Sequence, residues 1–377
     1  MKCLVIVPTT MHNYSFSAPL AWMFSLHPGK VTGIYGFELT TELVMSYDYF
    51  IIELNWFIEL KEFRLLVEFI KKNNKNAKIL FGGLYAALKY PEIFKRYSVD
   101  YFIRGDNELP ISMFLDSVKP EKIPNFTGRN FENPIEYVFK EEDYKNLEFN
   151  LDWFPSYFRY IEKNQMYQLP MIITGKGGCD SVHKECDYCM GAKHHELKKI
   201  YNRPPLAMSN ESLLNLLGKV EKKFAAASLQ VLTKCNYDLS NQYFDIDINI
   251  EIDSPIPIEK IGEFLYAFKR CLLNISVYEE GLCGEAVRKN FKEILQLEDN
   301  DHQVRFFAYD REVARLDIPR DHLLHSEDVL PAWTHWNYYV NMEQALVFSD
   351  HFYYKLAKDK KFSLKNDVEM DIRFDLE

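Results

Sequence analysis

Short apolar runs alternate with longer amphipathic segments through the first part of the chain. Residues 2–8 and 48–53 are largely aliphatic and aromatic, which is typical of parallel strands buried on both faces. Between Phe57 and Asn73, apolar residues recur at helical spacing, and a run rich in lysine and asparagine then ends the helix. Residues 77–81 are the next predicted strand, which leads into Gly82 and Gly83.

The same alternation continues beyond these glycines. The pattern predicts a helix from about Tyr90 to Tyr97, a strand from Val99 to Ile103, and a loop over 104–108 that opens a further helix. Strands that alternate with helices at this spacing indicate right-handed βαβ units. The N-terminal part is therefore predicted to be a Rossmann-like α/β domain with a parallel sheet.

Residues 119–168 lack a sustained period and are rich in Pro, Asn, Phe and Tyr, so we predict a linker without chemistry of its own. Beyond it, Phe244–Ile252 alternates strictly between apolar and polar residues, the period of a strand with one polar face. Ser209 is placed to cap a helix. The other predicted elements are strands at 169–174, 228–233, 272–277 and 304–308, and helices at 258–270 and 285–295. These repeated units predict a partial (βα) barrel of the TIM type within residues 169–377, followed by a C-terminal extension.

Ligands of parallel sheets bind outside the carboxyl ends of the strands. The loops that follow the predicted strands of the first domain are residues 9–13, 55–56, 82–85 and 105–108. From these loops we take five candidate cofactor-binding residues: Asn55, Gly82, Gly83, Gly105 and Glu108. The glycine pair alone is equally consistent with an ordinary strand exit.

Composition narrows the classes of function. A chain of 377 residues with 47% hydrophobic residues is long enough for two domains. The net charge of −10 argues against a general nucleic-acid surface, since phosphate binding depends on lysine and arginine. No apolar run approaches the roughly 20 residues of a membrane span. The N-terminus has the pattern of a first strand and lacks that of a signal peptide, so a cytoplasmic location is expected.

Three of the seven cysteines fall close together, at Cys179, Cys186 and Cys189. Glycines at 175, 177 and 178 precede them and supply the backbone freedom to wrap thiolates around one metal centre. If this centre is a four-iron cluster, three protein thiolates leave one of its irons without a protein ligand. A tetrahedral zinc site is the chief alternative, with His183, His194 or His195 as the fourth ligand. The other four cysteines are scattered and are interpreted as buried fillers.

Three segments, residues 48–52, 78–92 and 99–108, resemble in order the cobalamin-binding domain that precedes the barrel of cobalamin-dependent radical S-adenosylmethionine (SAM) enzymes. The resemblance covers about residues 1–118. The Asp-x-His-x-x-Gly motif, with which some cobalamin-binding families ligate cobalt, is absent from the sequence. His12 lies in the first loop and is interpreted as a surface residue. Cobalamin, if bound, would be held without an imidazole ligand.

The cysteine segment resembles the cluster loop of the radical SAM superfamily. A strand leads into Gly-Cys, Tyr188 precedes the last cysteine, and Tyr201-x-Arg203-x-Pro205 follows in the expected order. The gap from Asp180 to Glu185 is longer than in most members of the superfamily, which weakens the motif.

The resemblance implies a 4Fe-4S cluster on Cys179, Cys186 and Cys189, with SAM and, in the first domain, cobalamin as further cofactors. In such enzymes the amino and carboxylate groups of SAM chelate the open iron, and reductive cleavage yields a 5′-deoxyadenosyl radical. The expected outcome is methyl transfer or rearrangement on a small molecule or peptide, with a flavodoxin or ferredoxin as electron donor. Neither a membrane nor a nucleic acid is expected as a partner.

The resemblance also points to acids at strand ends. Glu279 or Glu280 would contact the ribose of SAM, and either is equally consistent with a solvated acid at a strand end. Glu251 or Asp253 would contact the sulfonium or amino group of SAM. These two are equally consistent with solvated acids on the polar face of an edge strand. Two other functions remain open. One is a radical SAM enzyme without cobalamin, and the other is a non-catalytic protein in which zinc or a cluster is structural.

Overall fold

The computed structural model describes residues 1–8, 18–55, 57–157, 171–176, 200–231, 237–252, 256–277, 290–308, 323–325, 342–343 and 346–347. Two sheets organise these residues. One is built from the N-terminal part of the chain and the other from the C-terminal part.

The first sheet contains seven strands, and helices are interspersed among them. Its strands are β1 Cys3–Val7, β2 Val31–Tyr35, β3 Tyr49–Glu53, β4 Lys78–Gly82, β5 Tyr101–Ile103, β6 Phe126–Gly128 and β7 Phe131–Glu132. The helices are α1 Ala18–Ser25, α2 Thr41–Ser46, α3 Leu60–Asn73, α4 Leu84–Arg96, α5 Glu108–Leu115 and α6 Glu141–Lys145. The spatial order is β2-β1-β3-β4-β5-β6-β7, with parallel pairing from β2 to β5 and antiparallel pairing beyond. This is the doubly wound order in which ligands bind at the carboxyl edge.

Both faces of this sheet are covered, which explains its apolar strands. In β1, Val5 and Val7 belong to one hydrophobic cluster, while Leu4 and Ile6 belong to another. Successive side chains of a strand point to opposite faces, so every position of such a strand must be apolar. The cluster that contains Val5 continues into the second sheet, where it includes Ile250.

The second sheet has six described strands, all parallel. The strands and helices of this half are β8 Met171–Ile173, β9 Gly175–Lys176, β10 Leu206–Ala207, α7 Asn210–Glu221, β11 Ala226–Val231, β12 Phe244–Ile252, α8 Ile258–Tyr266, β13 Phe268–Val277, β14 His302–Ala308 and β15 Leu323–His325. The order in the sheet is β15-β14-β13-β12-β11-β8, so each strand lies beside its neighbour in the chain. Of the described strands of this half, β9 and β10 lie outside this sheet and form a short antiparallel pair.

The sequence pattern predicts the mixed α/β class and a large parallel sheet, and both are confirmed. Several boundaries are wrong. The helix predicted from Tyr90 begins at Leu84, although Pro91 lies inside it. The helix predicted to reach Arg270 ends at Tyr266, because Phe268 pairs with Phe244 and the chain has already entered β13.

Three early elements escaped prediction, namely α1, β2 and α2. The segment predicted as a linker contributes β6, β7 and α6, and its aromatic residues pack into the core: Phe126 and Phe154 are fully buried. The backbone N–H of Gly33 in β2 donates to the carbonyl of Trp153 at 2.7 Å. This segment therefore covers the edge of the first sheet. Within the described part of the chain, no helix has the length and apolar character needed to cross a bilayer.

Helix α7 offers a site for stabilisation. Ser209 caps it by accepting a hydrogen bond from the N–H of Ser212, and Gly218 lies inside it with nothing within 4 Å of an added Cβ. We expect Gly218→Ala to raise the free energy of unfolding by about 0.5–1 kcal/mol, because glycine loses more backbone entropy than alanine. Urea unfolding measures the change. The matched variant Gly262→Ala in α8 meets only the Tyr266 ring, at 3.8 Å, and should change stability in the same direction; losses at both positions would contradict the expectation.

Candidate functional site

A cavity of about 210 Å³ lies at the carboxyl ends of β3, β4 and β5. Its polar lining includes Glu53, the last residue of β3, and Asn55 and Asn107 from the loops that follow β3 and β5. Its apolar lining comes partly from the strands themselves and partly from helices that cover the sheet, which contribute Leu20, Phe24, Ala87 and Ile111. Parallel strands place their exit loops at one edge, so residues distant in sequence converge there.

Two adjacent glycines end β4 at this edge, for different reasons. Gly83 has a φ of 106°, and an added Cβ would lie 2.6 Å from the carbonyl carbon of Leu54, so the fold itself requires glycine. Gly82 has no positive φ, and an added Cβ would meet nothing within 4 Å. Gly82 faces the cavity, so the absence of a side chain leaves room for a ligand to approach the backbone.

The first turn of α4 is bonded to the neighbouring loop. The N–H of Tyr85 donates to the carbonyl of Asn55 at 3.2 Å, and the N–H of Ala86 donates to the carbonyl of Leu54 at 3.1 Å. A phosphate at a helix N-terminus requires such amides to be free. These two amides are already paired, so neither of them is available to a phosphate group.

Asn55 is held by two carboxylates. Its backbone N–H donates to Oε2 of Glu59 at 2.7 Å, and its Nδ2 donates to Oε2 of Glu53 at 3.3 Å. Glu59 is fully buried and Glu53 is 7% exposed. The cavity therefore presents a fixed amide beside a carboxylate, which suits a ligand that carries amide or hydroxyl groups.

One residue of the cavity lining, Tyr201, comes from the second half of the chain. Gly105, which also lines the cavity, has a φ of 74°, and an added Cβ would lie 2.8 Å from the carbonyl oxygen of Ile200. Glycine at 105 thus lets residues 200–201 approach the carboxyl edge of the first sheet. Burial raises the pKa of Tyr201 to about 12, and the charge of Asp106 adds to this. The phenol is therefore protonated at neutral pH and able to donate a hydrogen bond.

Beside the cavity lies a buried charge cluster, which we define as Asp106, Glu108, Lys176 and Arg203. Arg203 donates two hydrogen bonds to the carboxylate of Asp106, from Nε at 2.8 Å and from Nη2 at 2.9 Å. Lys176 forms an ion pair with Glu108 and lies 3.4 Å from Asp106. Burial alone would raise the pKa of Asp106, but Lys176 and Arg203 together hold it below its usual value. Asp106 is therefore ionised at neutral pH.

Lys176 and Arg203 flank the cysteine segment, which we define as residues 177–199. Lys176 ends β9, immediately before this segment, and Arg203 follows it closely. Nη1 of Arg203 also donates to the carbonyl of Lys176 at 2.8 Å, and β9 pairs with β10 through Lys176 and Leu206. Both flanks of the cysteine segment therefore meet at Asp106. Cys179, Cys186 and Cys189 themselves lie outside the described residues, and within the described residues no group of three or more His, Cys, Asp or Glu could hold a metal ion.

A row of polar side chains crosses the second sheet near the carboxyl ends of its strands. Gln230, Glu251, Asn274 and Arg305 are register partners on β11, β12, β13 and β14, so they share one face. Gln230 donates to Glu251 at 3.5 Å. A parallel sheet covered by apolar packing on both faces would carry apolar residues here. This face is therefore suited to a polar ligand or water.

The structure brings together four of the five candidates from the first domain: Asn55, Gly82, Gly83 and Gly105 all line the cavity. Glu108 lies in the charge cluster and pairs with Lys176. Glu251 lies on the polar row, and the expectation that its strand is an edge strand is wrong, because β12 pairs with both β11 and β13. Asp253, Glu279, Glu280 and His12 lie outside the described residues.

Sequence reasoning missed Glu53 and Tyr201 as cavity residues, and Lys176 and Arg203 as partners of Asp106. Asn107 lies within the predicted loop 105–108 but was not among the five residues taken from these loops. The sequence could have indicated Glu53, since a charged residue at the end of an otherwise apolar strand is a candidate for the site at the carboxyl edge. Helix α1 carried little signal, because its residues are mostly apolar and show no helical stripe.

No protein-family model matches the chain, and no curated protein matches it in sequence. Solved structures do match its fold. One is OxsB, a cobalamin-dependent SAM radical enzyme with aqua-cobalamin bound, with a TM-score of 0.57 and 13% identity over 93% of this chain. This chain spans only 56% of OxsB.

Two structures of TsrM from Kitasatospora setae, a radical SAM methyltransferase, also match. The form with tryptophan substrate and the SAM analogue aza-SAM has a TM-score of 0.52 and 9% identity, covering 82% of this chain and 67% of TsrM. The form with cobalamin and a 4Fe-4S cluster has a TM-score of 0.51 and 10% identity, covering 82% and 69%. The structural neighbours of this chain thus include cobalamin-dependent radical SAM enzymes, and the resemblance inferred from the sequence is confirmed at the level of the fold.

Proposed function

We propose that this chain is a radical SAM enzyme that carries a 4Fe-4S cluster on Cys179, Cys186 and Cys189 and binds cobalamin in the cavity of its first domain. The observation that carries the proposal is the meeting of this cavity and both flanks of the cysteine segment at one loop, residues 105–107. The fold likeness to OxsB and TsrM supports the same reading.

The cavity residues fit part of a cobalamin molecule. Gly82 leaves open space at the strand exit, Asn55 and Glu53 offer hydrogen bonds to amides, and Phe24 and Leu20 offer apolar contact. The resemblance implies a corrin held without an imidazole ligand. No histidine is found among the described residues of the lining, and His12, in the loop after β1, lies outside the described residues.

In the second half, the parallel strands in sequential order fit a partial barrel, whose interior would be the face of the polar row. Glu251 on this row is proposed to bind the amino group or sulfonium of SAM, and Glu279 or Glu280 to bind its ribose. When bound, the cluster would supply the electron that cleaves SAM, and cobalamin would supply a carrier for a methyl group. The residues of this chain would orient SAM and exclude water, with a small molecule or peptide as substrate and a flavodoxin or ferredoxin as electron donor.

Anaerobic reconstitution with iron and sulfide tests the proposal. We expect about four iron atoms per chain, release of 5′-deoxyadenosine from SAM under dithionite, and a changed absorption spectrum of added hydroxocobalamin. Cys186→Ala should lose the cluster absorption and the deoxyadenosine. The matched control is Cys271→Ala: burial raises the pKa of the Cys271 thiol and keeps it protonated, so iron content should be unchanged.

The outcomes separate the alternatives. One zinc and no iron would overturn the proposal in favour of a structural metal site. Iron and deoxyadenosine without any binding of hydroxocobalamin would remove cobalamin and leave a radical SAM enzyme whose first domain positions the substrate.

A further inference from the structure

The loop of residues 105–107 has two sides. Gly105 and Asn107 line the cavity, while the carboxylate of Asp106 between them points into the buried charge cluster. The Asp106 side chain is fully buried, and it also accepts a hydrogen bond from the N–H of Phe139 at 3.0 Å. A buried carboxylate with this many partners has one stable position, so the loop has little freedom to move independently of its partners.

Those partners are the two flanks of the cysteine segment. Arg203 makes the bidentate contact on one side, and Lys176 lies 3.4 Å away on the other. Arg203 is 7% exposed, and the side chain of Lys176 is 18% exposed. Lys176 is further held by its ion pair with Glu108 and lies over the ring of Phe139, 4.4 Å from the ring centroid. The two flanks are also joined to each other, by the hydrogen bond from Nη1 of Arg203 to the carbonyl of Lys176 and by the pairing of β9 with β10. Asp106 therefore connects this joined pair of flanks to the loop of residues 105–107.

We infer that Asp106 is a positioning residue that fixes both flanks of the cysteine segment to the loop that lines the cavity. Through Asp106, a ligand bound in the cavity and iron bound by the cysteine segment each increase the affinity of the chain for the other. The identity of the two occupants rests on the proposed function. That Asp106 fixes the flanks follows from its contacts with Arg203 and Lys176 and does not depend on what the two sites bind.

Coupling of this kind is reciprocal. A ligand that holds residues 105–107 in one position also holds Asp106, and through it Lys176 and Arg203. By linkage, iron bound by the cysteine segment must favour the cavity ligand by the same factor.

Asp106→Asn tests the inference, because asparagine keeps the shape and removes the charge. Asp100→Asn is the matched control: Asp100 is also ion-paired, with Lys71 at 2.8 Å and Lys78 at 3.1 Å, but lies just before β5, at the opposite end of that strand from Asp106. The first readout is tryptic cleavage within residues 177–199 of the metal-free full chain, relative to cleavage after Lys122 and Arg129. We expect Asp106→Asn to raise this ratio at least about fivefold and Asp100→Asn to leave it unchanged.

Two ligands provide the second readout. Hydroxocobalamin should slow cleavage within residues 177–199 of the wild type at least about fivefold, and this protection should be lost in Asp106→Asn and retained in Asp100→Asn. After reconstitution with iron and sulfide, Asp106→Asn should retain less iron than Asp100→Asn. Lys176→Met, which keeps the side-chain stem over Phe139, replaces Asp106→Asn if circular dichroism shows that variant to be unfolded.

The outcomes distinguish this inference from the proposed function. The positioning role alone would be overturned if the wild type bound iron but the Asp106 and Asp100 variants did not differ. The comparison covers the cleavage ratio, the protection by hydroxocobalamin and the iron content. Absence of hydroxocobalamin protection in the wild type would overturn the coupling. A wild type that binds no iron would overturn the proposed function, while the cleavage ratio would still decide whether Asp106 fixes the flanks.

Discussion

Replacing Arg203 by alanine is expected to lower the free energy of unfolding by about 3–5 kcal/mol, the usual cost of leaving a buried charge without its partner. Among the described residues, Asp106 would keep Lys176, at 3.4 Å, as its one cation, together with the hydrogen bond from the N–H of Phe139. The carbonyl of Lys176 would lose its hydrogen bond from Nη1 of Arg203. Urea unfolding followed by intrinsic fluorescence measures the loss.

Arg270→Ala is the control for this prediction. Arg270 also forms an ion pair with an aspartate, Asp247, but its side chain is 60% exposed. Exposed pairs contribute about 0–1 kcal/mol, so the loss should be small. A double variant that replaces Asp106 by leucine and Arg203 by methionine should recover much of the loss, because it removes both charges. Equal losses for Arg203→Ala and Arg270→Ala would show that the Asp106 contact contributes little.

The same prediction has a pH dependence. The folded protein holds the pKa of Asp106 below its usual 3.8, so the stabilisation is complete above that pH. It is lost as the pH falls through the lowered pKa, where Asp106 becomes protonated. The difference in the free energy of unfolding between the wild type and Arg203→Ala should therefore be largest at neutral pH and should decrease at pH values below 3.8.

Gly83→Ala is expected to lower the free energy of unfolding by about 2–5 kcal/mol. Its φ of 106° and ψ of 173° lie in a region that only glycine occupies readily. The added Cβ would also lie 2.6 Å from the Leu54 carbonyl oxygen, a backbone atom that cannot rotate away. Thermal unfolding of the full chain measures the effect, and the junction between β4 and α4 should become the least stable part of the first domain.

The neighbouring glycine provides the comparison. Gly82→Ala adds a Cβ that meets nothing within 4 Å, so stability should change by less than about 0.5 kcal/mol. Because Gly82 lines the cavity, this variant should weaken hydroxocobalamin binding without unfolding the chain. A Gly83→Ala variant as stable as Gly82→Ala would refute the assigned backbone conformation.

Much of the first sheet and its helices follows from local pattern. Strands such as β1 and β3 are recognisable because a strand buried on both faces must be apolar throughout, and α3 is recognisable because its apolar residues form a stripe. Parallel topology then implies that Asn55, Gly82, Gly83 and Gly105 lie at one edge, where they do line a cavity. Helix α1 lacks a stripe, and β2 is a short strand interrupted by Gly33, so neither stood out from its surroundings.

The role of Glu108 shows where local pattern stops. Its position after β5 predicts a place in the cavity, and its backbone does begin α5 beside that cavity. Its carboxylate pairs instead with Lys176, a residue of β9. A helix start sets where a side chain leaves the backbone, whereas the partner that it meets depends on a distant strand.

The sequence alone thus established the α/β class, the carboxyl-edge loops and the cysteine triplet, because each depends on residue types over a few neighbouring positions. Only the tertiary structure joined Asp106 to Arg203 across 97 positions of the chain and set Tyr201 against the cavity. It also aligned Gln230, Glu251, Asn274 and Arg305 into one row through the strand register. No local rule selects which of the chain's many charges will meet, since that choice depends on how the two sheets pack through their shared hydrophobic core.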